Sequence, residues 1–373
     1  MRVGMVGHAF MGAVHSQAWR TAPHFFDLPD LELTAICGRD EERTRAAADK
    51  FGWRSYETDW RALVARDDID IVDICTPGDS HAAIAIAALQ EGKHVLCEKP
   101  LANAFAEAVA MVAAAERASG FAMTAFNYRR VPALALARQL IEAGRLGTLR
   151  QVRAQYLQDW LVDPDFPLTW RLQADKAGSG ALGDLGAHIV DLSQFLTGQR
   201  ITGVGALLHT FVTERPLPDA PDQRGPVTVD DVAMFTARFD GGAIGSFEAT
   251  RFASGRKNSM RIEINGSTGS IAFDFEAMNE LSYYDGQDDQ PGFRRILVTE
   301  PTHPYMAAWW PPGHGIGYEH TFTHEVFDFV TAITKGEQPR PSFADGLQVQ
   351  QVLAAVQSSG QAAGTHIPVP GTA

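Results

Sequence analysis

Two periodicities alternate over the first 125 residues. Residues 2–6, 31–37, 69–75, 94–97 and 121–125 are short apolar or β-branched runs, which predict strands. Between them, 10–21, 41–51, 82–90 and 102–119 carry helical spacing, and Gly92 and Gly120 follow the last two. Strands alternating with helices predict right-handed βαβ units around a doubly wound parallel sheet, an α/β domain.

After about residue 145 the period shortens. Residues 152–157, 204–212, 232–239, 243–251, 261–265 and 270–275 read as strands, with hairpin signals at Asp240-Gly241 and Asn265-Gly266. Helical spacing is confined to 132–143, 185–197, 321–334 and a final amphipathic stretch, 346–359. This predicts an α+β domain with a large, mostly antiparallel open sheet. Residues 214–226 hold four prolines and are expected to form a mobile loop. The expected division is therefore 1–125 and 126–373, with the final helix returning to pack on the body.

Composition agrees. At roughly 150 residues per domain, a 373-residue chain implies two to three domains. Apolar residues make up 45% and charged ones 21%, which excludes wholesale disorder and fibrous architectures. The net charge of −13 provides no overall field for nucleic acid or anionic lipid. No apolar run approaches membrane-spanning length, and Met1 to Gly7 does not read as a signal peptide. The three cysteines, Cys37, Cys75 and Cys97, are too few and too separated for a disulfide framework or a Cys-x-x-Cys metal pair. A cytoplasmic location is expected.

The candidate chemistry starts at Gly7-His8-Ala9-Phe10-Met11-Gly12, which follows the first strand and opens the first helix. That is the context of a dinucleotide fingerprint in a Rossmann domain. Gly7 permits the tight turn and Gly12 the close helix–strand packing. A pyrophosphate would then rest on the N–H groups of Ala9, Phe10 and Met11. Ala9 replaces the middle glycine. After strand two, Gly38 leaves room where an acidic ribose ligand would sit, and Arg39 can stack on adenine or bind a 2′-phosphate. The cofactor reading is therefore NAD(H) or NADP(H), leaning to NADP(H). The alternative is a solvated Arg39 beside Asp40, with NAD as cofactor.

Three motifs in order carry a family resemblance: Thr76-Pro77 with His81, Glu98-Lys99-Pro100 at the end of strand four, and the Gly-rich run 178–188 ending Asp184-x-x-x-His188. The chain resembles the glucose–fructose oxidoreductase and inositol dehydrogenase family, Gfo/Idh/MocA, from residue 2 to about 360. Residues 278–281, 292–297 and 313–318 resemble its subgroup of inositol, L-glucose and levoglucosan dehydrogenases. The resemblance implies an NAD(P)-dependent oxidoreductase acting on a CH–OH group of a polyol or sugar. It also implies a homodimer or homotetramer and a cis bond before Pro100; no metal is expected, because no convergent ligand set stands in the sequence. The residues expected toward the cofactor are Gly7, Ala9, Phe10, Met11, Gly12, Gly38, Arg39, Thr76, Pro77, His81, Glu98, Lys99 and Asn127. Two departures, Ala9 and a Gly78 where Asn is common, concern the cofactor cradle.

Hydride transfer from a secondary alcohol needs a base for the hydroxyl proton and a cation or donor on the oxygen. His188 suits the base. Asp184, four residues earlier on the same helix face, can hydrogen-bond the imidazole, favour the imidazolium, or bind a substrate hydroxyl. Lys99, at the carboxyl end of a parallel strand, suits the orienting cation. Tyr128, Trp170, Arg171, His314 and Tyr318, with Trp160, are substrate-side candidates; aromatic faces suit the C–H faces of a sugar ring. His320 and His324, beside Glu325, have metal-like spacing but no convergent third ligand, and read as a helix face. Two other functions fit the same fold: net glycoside cleavage through transient oxidation by NAD, and a non-catalytic nucleotide-responsive regulator.

Overall fold

The computed structural model describes residues 1–371. The chain divides into two compact units, Met1–Arg130 with Ile316–Leu347 and Val131–Gly315 with Gln348–Ala373. The sequence-based division at 125 assigned 126–130 and 316–347 to the second part.

The first unit runs β1 (Arg2–Val6), α1 (Phe10–Phe25), β2 (Glu32–Cys37), α2 (Glu41–Phe51), β3 (Ser55–Glu57), α3 (Trp60–Val64), β4 (Ile71–Ile74), α4 (His81–Gln90), β5 (His94–Glu98), α5 (Phe105–Arg117) and β6 (Ala122–Ala125). Its six strands are parallel, in the order β3-β2-β1-β4-β5-β6. The chain reverses direction across the sheet between β1 and β4, the switch point outside which such sheets bind ligands. Both faces are covered, as a parallel sheet requires. Val72, Ile74 and Val95 pack on Leu63, Ile84 and Met111 of α3, α4 and α5. Met5, Ile36 and Leu96 pack on Trp19 of α1 and on Phe322, Val326 and Phe329.

The second unit contributes α6 (Pro132–Glu142), β7 (Leu149–Leu157), α7 (Ala174–Ala177), α8 (Ala187–Thr197), β8 (Ile201–His209), β9 (Glu214–Leu217), β10 (Ala220–Pro226), β11 (Val232–Phe239), β12 (Ile244–Thr250), β13 (Ser259–Gly266), β14 (Gly269–Asp274), β15 (Glu280–Asp285) and β16 (Arg294–Leu297). Helix α9 (Tyr318–Lys335) belongs to the first unit and carries the three phenylalanine and valine contacts just described. The division between units falls inside α10 (Phe343–Gln361), and β17 (Ile367–Pro368) follows. The large sheet has nine strands in the order β16-β15-β14-β13-β7-β12-β11-β8-β17. Only the β7–β12 pair is parallel.

Alternation along β11 shows how this sheet is used. Ala233, Phe235, Ala237 and Phe239 are buried, while Met234 and Arg238 face out. α6 and α8 cover the buried face.

The segment 214–226, expected as a mobile loop, is instead the β9–β10 hairpin. The hairpin is anchored from outside, where Leu168 N–H donates to the Pro216 carbonyl at 2.8 Å. Arg215 pins the hairpin from inside: fully buried, it donates to the Leu161 and Asp163 carbonyls at 2.7 Å each. The run before α8 also departs from a plain α-helix, for Leu182–Gly186 winds as a π-helical turn that passes into α8.

Candidate active site

In the first unit the glycine loop makes a cradle. Gly7 has φ +103°, and a Cβ there would lie 2.7 Å from the Cys75 carbonyl oxygen. A Cβ on Gly12 would lie 2.2 Å from the Gly7 carbonyl oxygen. Both positions therefore need glycine for close approach. Ala9 sits at the N-cap of α1 in extended conformation, with its side chain exposed, so its methyl is accommodated. No side chain caps the helix and no acidic residue stands in its first turn. Open N–H groups and a positive dipole end suit a pyrophosphate, so the cradle fits a dinucleotide.

Around the cradle, His81 bridges two loops. Its Nδ1 is 3.0 Å from the Pro100 carbonyl and its Nε2 is 2.9 Å from the Thr76 carbonyl. The Lys99–Pro100 bond is cis. Gly78, found where an Asn is common, leaves space taken by another amide, since its Cβ would lie 2.3 Å from Asn103 Oδ1. At the end of β2 the space beside Gly38 is likewise filled. A Cβ there would lie 2.3 Å from His8 Nε2, which is 3.3 Å from Thr44 Oγ1. Asp40 caps α2 by accepting from Arg43 N–H at 2.9 Å, and Arg39 is exposed.

Beneath the loop lies a buried polar chain. His15 Nδ1 meets Asp73 at 3.0 Å, its Nε2 meets Glu98 at 3.1 Å, and Trp19 donates to Asp73 at 2.7 Å. Glu98 in turn accepts from the Lys99 backbone N–H at 2.9 Å. Burial alone would strip His15 of its proton; the Asp73 carboxylate outweighs this and holds its pKa well above the usual imidazole value. His15, Asp73 and Cys75 cluster closely enough to suggest a metal, but His15 Nδ1 and both Asp73 oxygens are engaged with each other and with Trp19.

Asp184 and His188 lie in the second unit, on the π turn and the first turn of α8. His188 is buried, with its ring centroid 5.8 Å from that of Tyr156. Tyr156 donates to Asn258 at 2.6 Å, Gln158 donates to the same Asn258 oxygen at 2.9 Å, and Trp160 donates to Gln158 at 2.9 Å. A buried guanidinium, Arg251, lies 3.8 Å from Asp184 and 5.5 Å from the Trp160 ring. Asp230 accepts from Gly180 N–H at 2.7 Å and Leu182 N–H at 2.8 Å, capping the π turn. Sequence reasoning missed Tyr156, Gln158, Asn258, Asp230 and Arg251. Only the acidic pair Asp230-Asp231 before a strand hinted at a buried role.

The other candidates are placed as follows. Asn127 and Tyr128 are buried in the first unit, and Asn127 donates to Thr321 at 2.8 Å. Tyr318 stacks near Phe10, with centroids 6.5 Å apart, and burial pushes its phenol pKa up. In the second unit Arg171 stacks on its neighbour Trp170 at 4.4 Å, and exposed His314 meets the Pro311 carbonyl at 2.8 Å. His320 accepts the Gly317 N–H at 3.1 Å, and buried His324 lies 2.9 Å from the Arg130 carbonyl. Burial lowers the His324 pKa to about 3. Among the described residues, these two rings are spent on local backbone groups.

Comparison with known proteins gives the class. Residues 1–126 match the oxidoreductase family with an NAD-binding Rossmann fold, and residues 134–272 match the GFO/IDH/MocA C-terminal domain. Levoglucosan dehydrogenase of Pseudarthrobacter phenanthrenivorans is 44% identical over 375 residues, 96% of each chain. The solved structure of an oxidoreductase domain protein from Kribbella flavida is 64% identical, with a TM-score of 0.96 over 99% of each chain. A levoglucosan dehydrogenase in complex with NADH and levoglucosan is 44% identical, with a TM-score of 0.95 over 99% of each chain. The chain belongs to the Gfo/Idh/MocA family of oxidoreductases and carries that family's NAD-binding domain. Among the described residues no helix is long and apolar enough to cross a membrane.

Proposed function

We propose that this oxidoreductase transfers a hydride between a secondary ring hydroxyl of a cyclic polyol or sugar and NAD, with anhydrosugars of the levoglucosan type as the foremost substrates. The observation that carries this reading is the turn that presents Asp184 and His188 together, with a buried cation behind the carboxylate. The identity to levoglucosan dehydrogenase supports the substrate class. The cradle formed by Gly7 and Gly12 would hold the dinucleotide, which when bound would supply the hydride acceptor for the carbinol carbon. His188 takes the hydroxyl proton and passes it to solvent. Lys99 orients the reacting oxygen and lowers the alcohol's pKa. Asp184 holds the imidazole or accepts from a neighbouring hydroxyl. Tyr128, Trp170, Arg171, His314 and Tyr318 are the proposed substrate contacts. The first unit serves as the cofactor domain and the second as the substrate domain.

For the cofactor, NAD is the better reading. The lean to NADP rested on open space at Gly38 and on Arg39. The His8 ring takes that space, which leaves Arg39 alone to attract a 2′-phosphate. The outer face of the large sheet, where Leu207 lies opposite Met234 and Ile244 is exposed, is the proposed contact in a homodimer or homotetramer. Three free, buried cysteines are consistent with a cytoplasmic enzyme.

Absorbance at 340 nm with NAD and NADP against levoglucosan, inositols, hexoses and pentoses tests this. Reduction of NAD by an anhydrosugar or polyol is expected, abolished in a folded His188→Ala enzyme. A silent panel, or an active His188→Ala enzyme, rejects the reading or its base. Reduction of NADP in preference to NAD, lost on Arg39→Ala, would reinstate the phosphate role of Arg39.

A further inference from the structure

The turn that carries Asp184 and His188 is tied to two charged residues that no hydride-transfer scheme requires. Asp230, buried, spends both carboxylate oxygens on the turn, one on Gly180 N–H and one on Leu182 N–H. Its backbone carbonyl accepts from Ala181 N–H at 3.0 Å and from Arg251 Nη2 at 3.1 Å. There is no slack in this contact, because a Cβ on Gly180 would lie 1.7 Å from that carbonyl oxygen and 2.7 Å from Arg251 Nη2. Asp230 thus works as an N-cap for a π turn, fixing where the turn starts and so where Asp184 and His188 fall.

Arg251 is 1% exposed, and its Nη1 points at Asp184 across 3.8 Å. The Asp184 side chain keeps 32% of its surface open. A guanidinium stripped of water therefore faces a carboxylate that is still accessible. At low local dielectric such a charge acts strongly on its neighbour. Other charged groups acting on Arg251 include Asp230, Asp231, Arg171 and the buried Arg215. Burial pulls the Arg251 pKa below its ordinary value, and the three carboxylates, Asp184 foremost, counter this only in part.

We propose that Arg251 and Asp230 are the positioning residues of this site: Asp230 sets the path of the turn, and Arg251 keeps Asp184 ionised and aimed as a pure hydrogen-bond acceptor. The inference rests on the assignment of Asp184 and His188 made above. An ionised Asp184 accepts from a substrate hydroxyl or from the imidazole N–H; a protonated one presents a donor in the same place and breaks that match.

The test is steady-state kinetics with NAD and levoglucosan, or whichever sugar of the panel turns over fastest, across pH 5 to 9. Thermal melts and NADH fluorescence titration report folding and cofactor binding. Arg251→Met is expected to lower kcat/KM by about 100-fold and to move the acid limb of the profile to higher pH, with NADH affinity unchanged. Arg251→Lys is expected to return the limb to its original pH and to recover most of the rate. Should Arg251→Met not fold, Arg251→Gln, which keeps a donor to the Asp230 carbonyl and removes the charge, carries the same readings. Asp230→Asn is expected to lower kcat without moving the limb, because it acts through the turn. A folded, charge-free variant at 251 whose acid limb and rate stay in place overturns the role of Arg251, and a fully active Asp230→Asn overturns that of Asp230. Failure of the underlying assignment is distinguishable, since it shows in His188→Ala.

Discussion

His15 joins two neighbouring strands of the first sheet through one buried ring. Its Nδ1 is 3.0 Å from Asp73 Oδ2 on β4, and its Nε2 is 3.1 Å from Glu98 Oε1 at the end of β5. The second oxygen of Glu98 accepts from the Lys99 N–H at 2.9 Å. An imidazole on α1 thus fixes the backbone from which the Lys99 side chain springs. Removing one member of a buried charged group leaves the others uncompensated, at about 3–5 kcal/mol. His15→Ala should therefore lower stability by that order in denaturant unfolding. It should also cut kcat by roughly 10–100-fold in the fraction that remains folded, as the Lys99 backbone loosens. Wild-type kcat in a folded His15→Ala enzyme would separate this network from Lys99.

Gly180 offers a sharper steric probe of the second unit. An added methyl would sit 1.7 Å from the Asp230 carbonyl oxygen, so the backbone of the turn or of Asp230 must move. Overpacking of this kind costs about 1–3 kcal/mol. Gly180→Ala should lose that much stability, together with most sugar oxidation, and retain NADH binding. The check is parallel denaturant unfolding, NADH titration and turnover. Loss of NADH affinity with turnover intact would contradict it.

Much of this was legible in the sequence because it depends on local pattern. The glycine loop, five strands and four helices of the first unit, and six strands of the second follow from periodicity and turn residues; the short β3 and α3, and β15 and β16 at the sheet edge, were not legible. Other features were hidden too, each for a physical reason. Nothing in the local sequence marks Arg215 and Arg251 as buried, since only tertiary packing buries them. The amide that fills the space beside Gly78 comes from Asn103, outside the Thr-Pro motif. The π turn at Leu182–Gly186 has no periodic signature, being held by Asp230 from the distant segment that precedes β11. Likewise the prolines of 214–226 suggested mobility, whereas their carbonyls and buried Arg215 build a hairpin.

Glu325 on α9 makes the stability of the first unit pH-dependent. The carboxyl is 1% exposed, and burial raises its pKa to about 8, against the pull of Arg130 at 3.6 Å. His15 also favours its ionised form, while Glu98 and Asp73 oppose it. In the unfolded chain the same group titrates near its ordinary value of 4.5. Between about 4.5 and about 8 the native state keeps a proton that the unfolded chain has released. The contribution of Glu325 to stability is therefore complete below the lower value and falls as pH rises through the window. At 1.36 kcal/mol per pH unit, the decline from pH 6 to 8 is about 2 kcal/mol. Glu325→Gln stays neutral and should lose much less over the same interval; His15 leaves its own slope in both proteins. Unfolding free energies at pH 6, 7 and 8 measure the difference. If the two proteins decline in parallel, Glu325 is ionised in the native state and its pairing with Arg130 outweighs its burial.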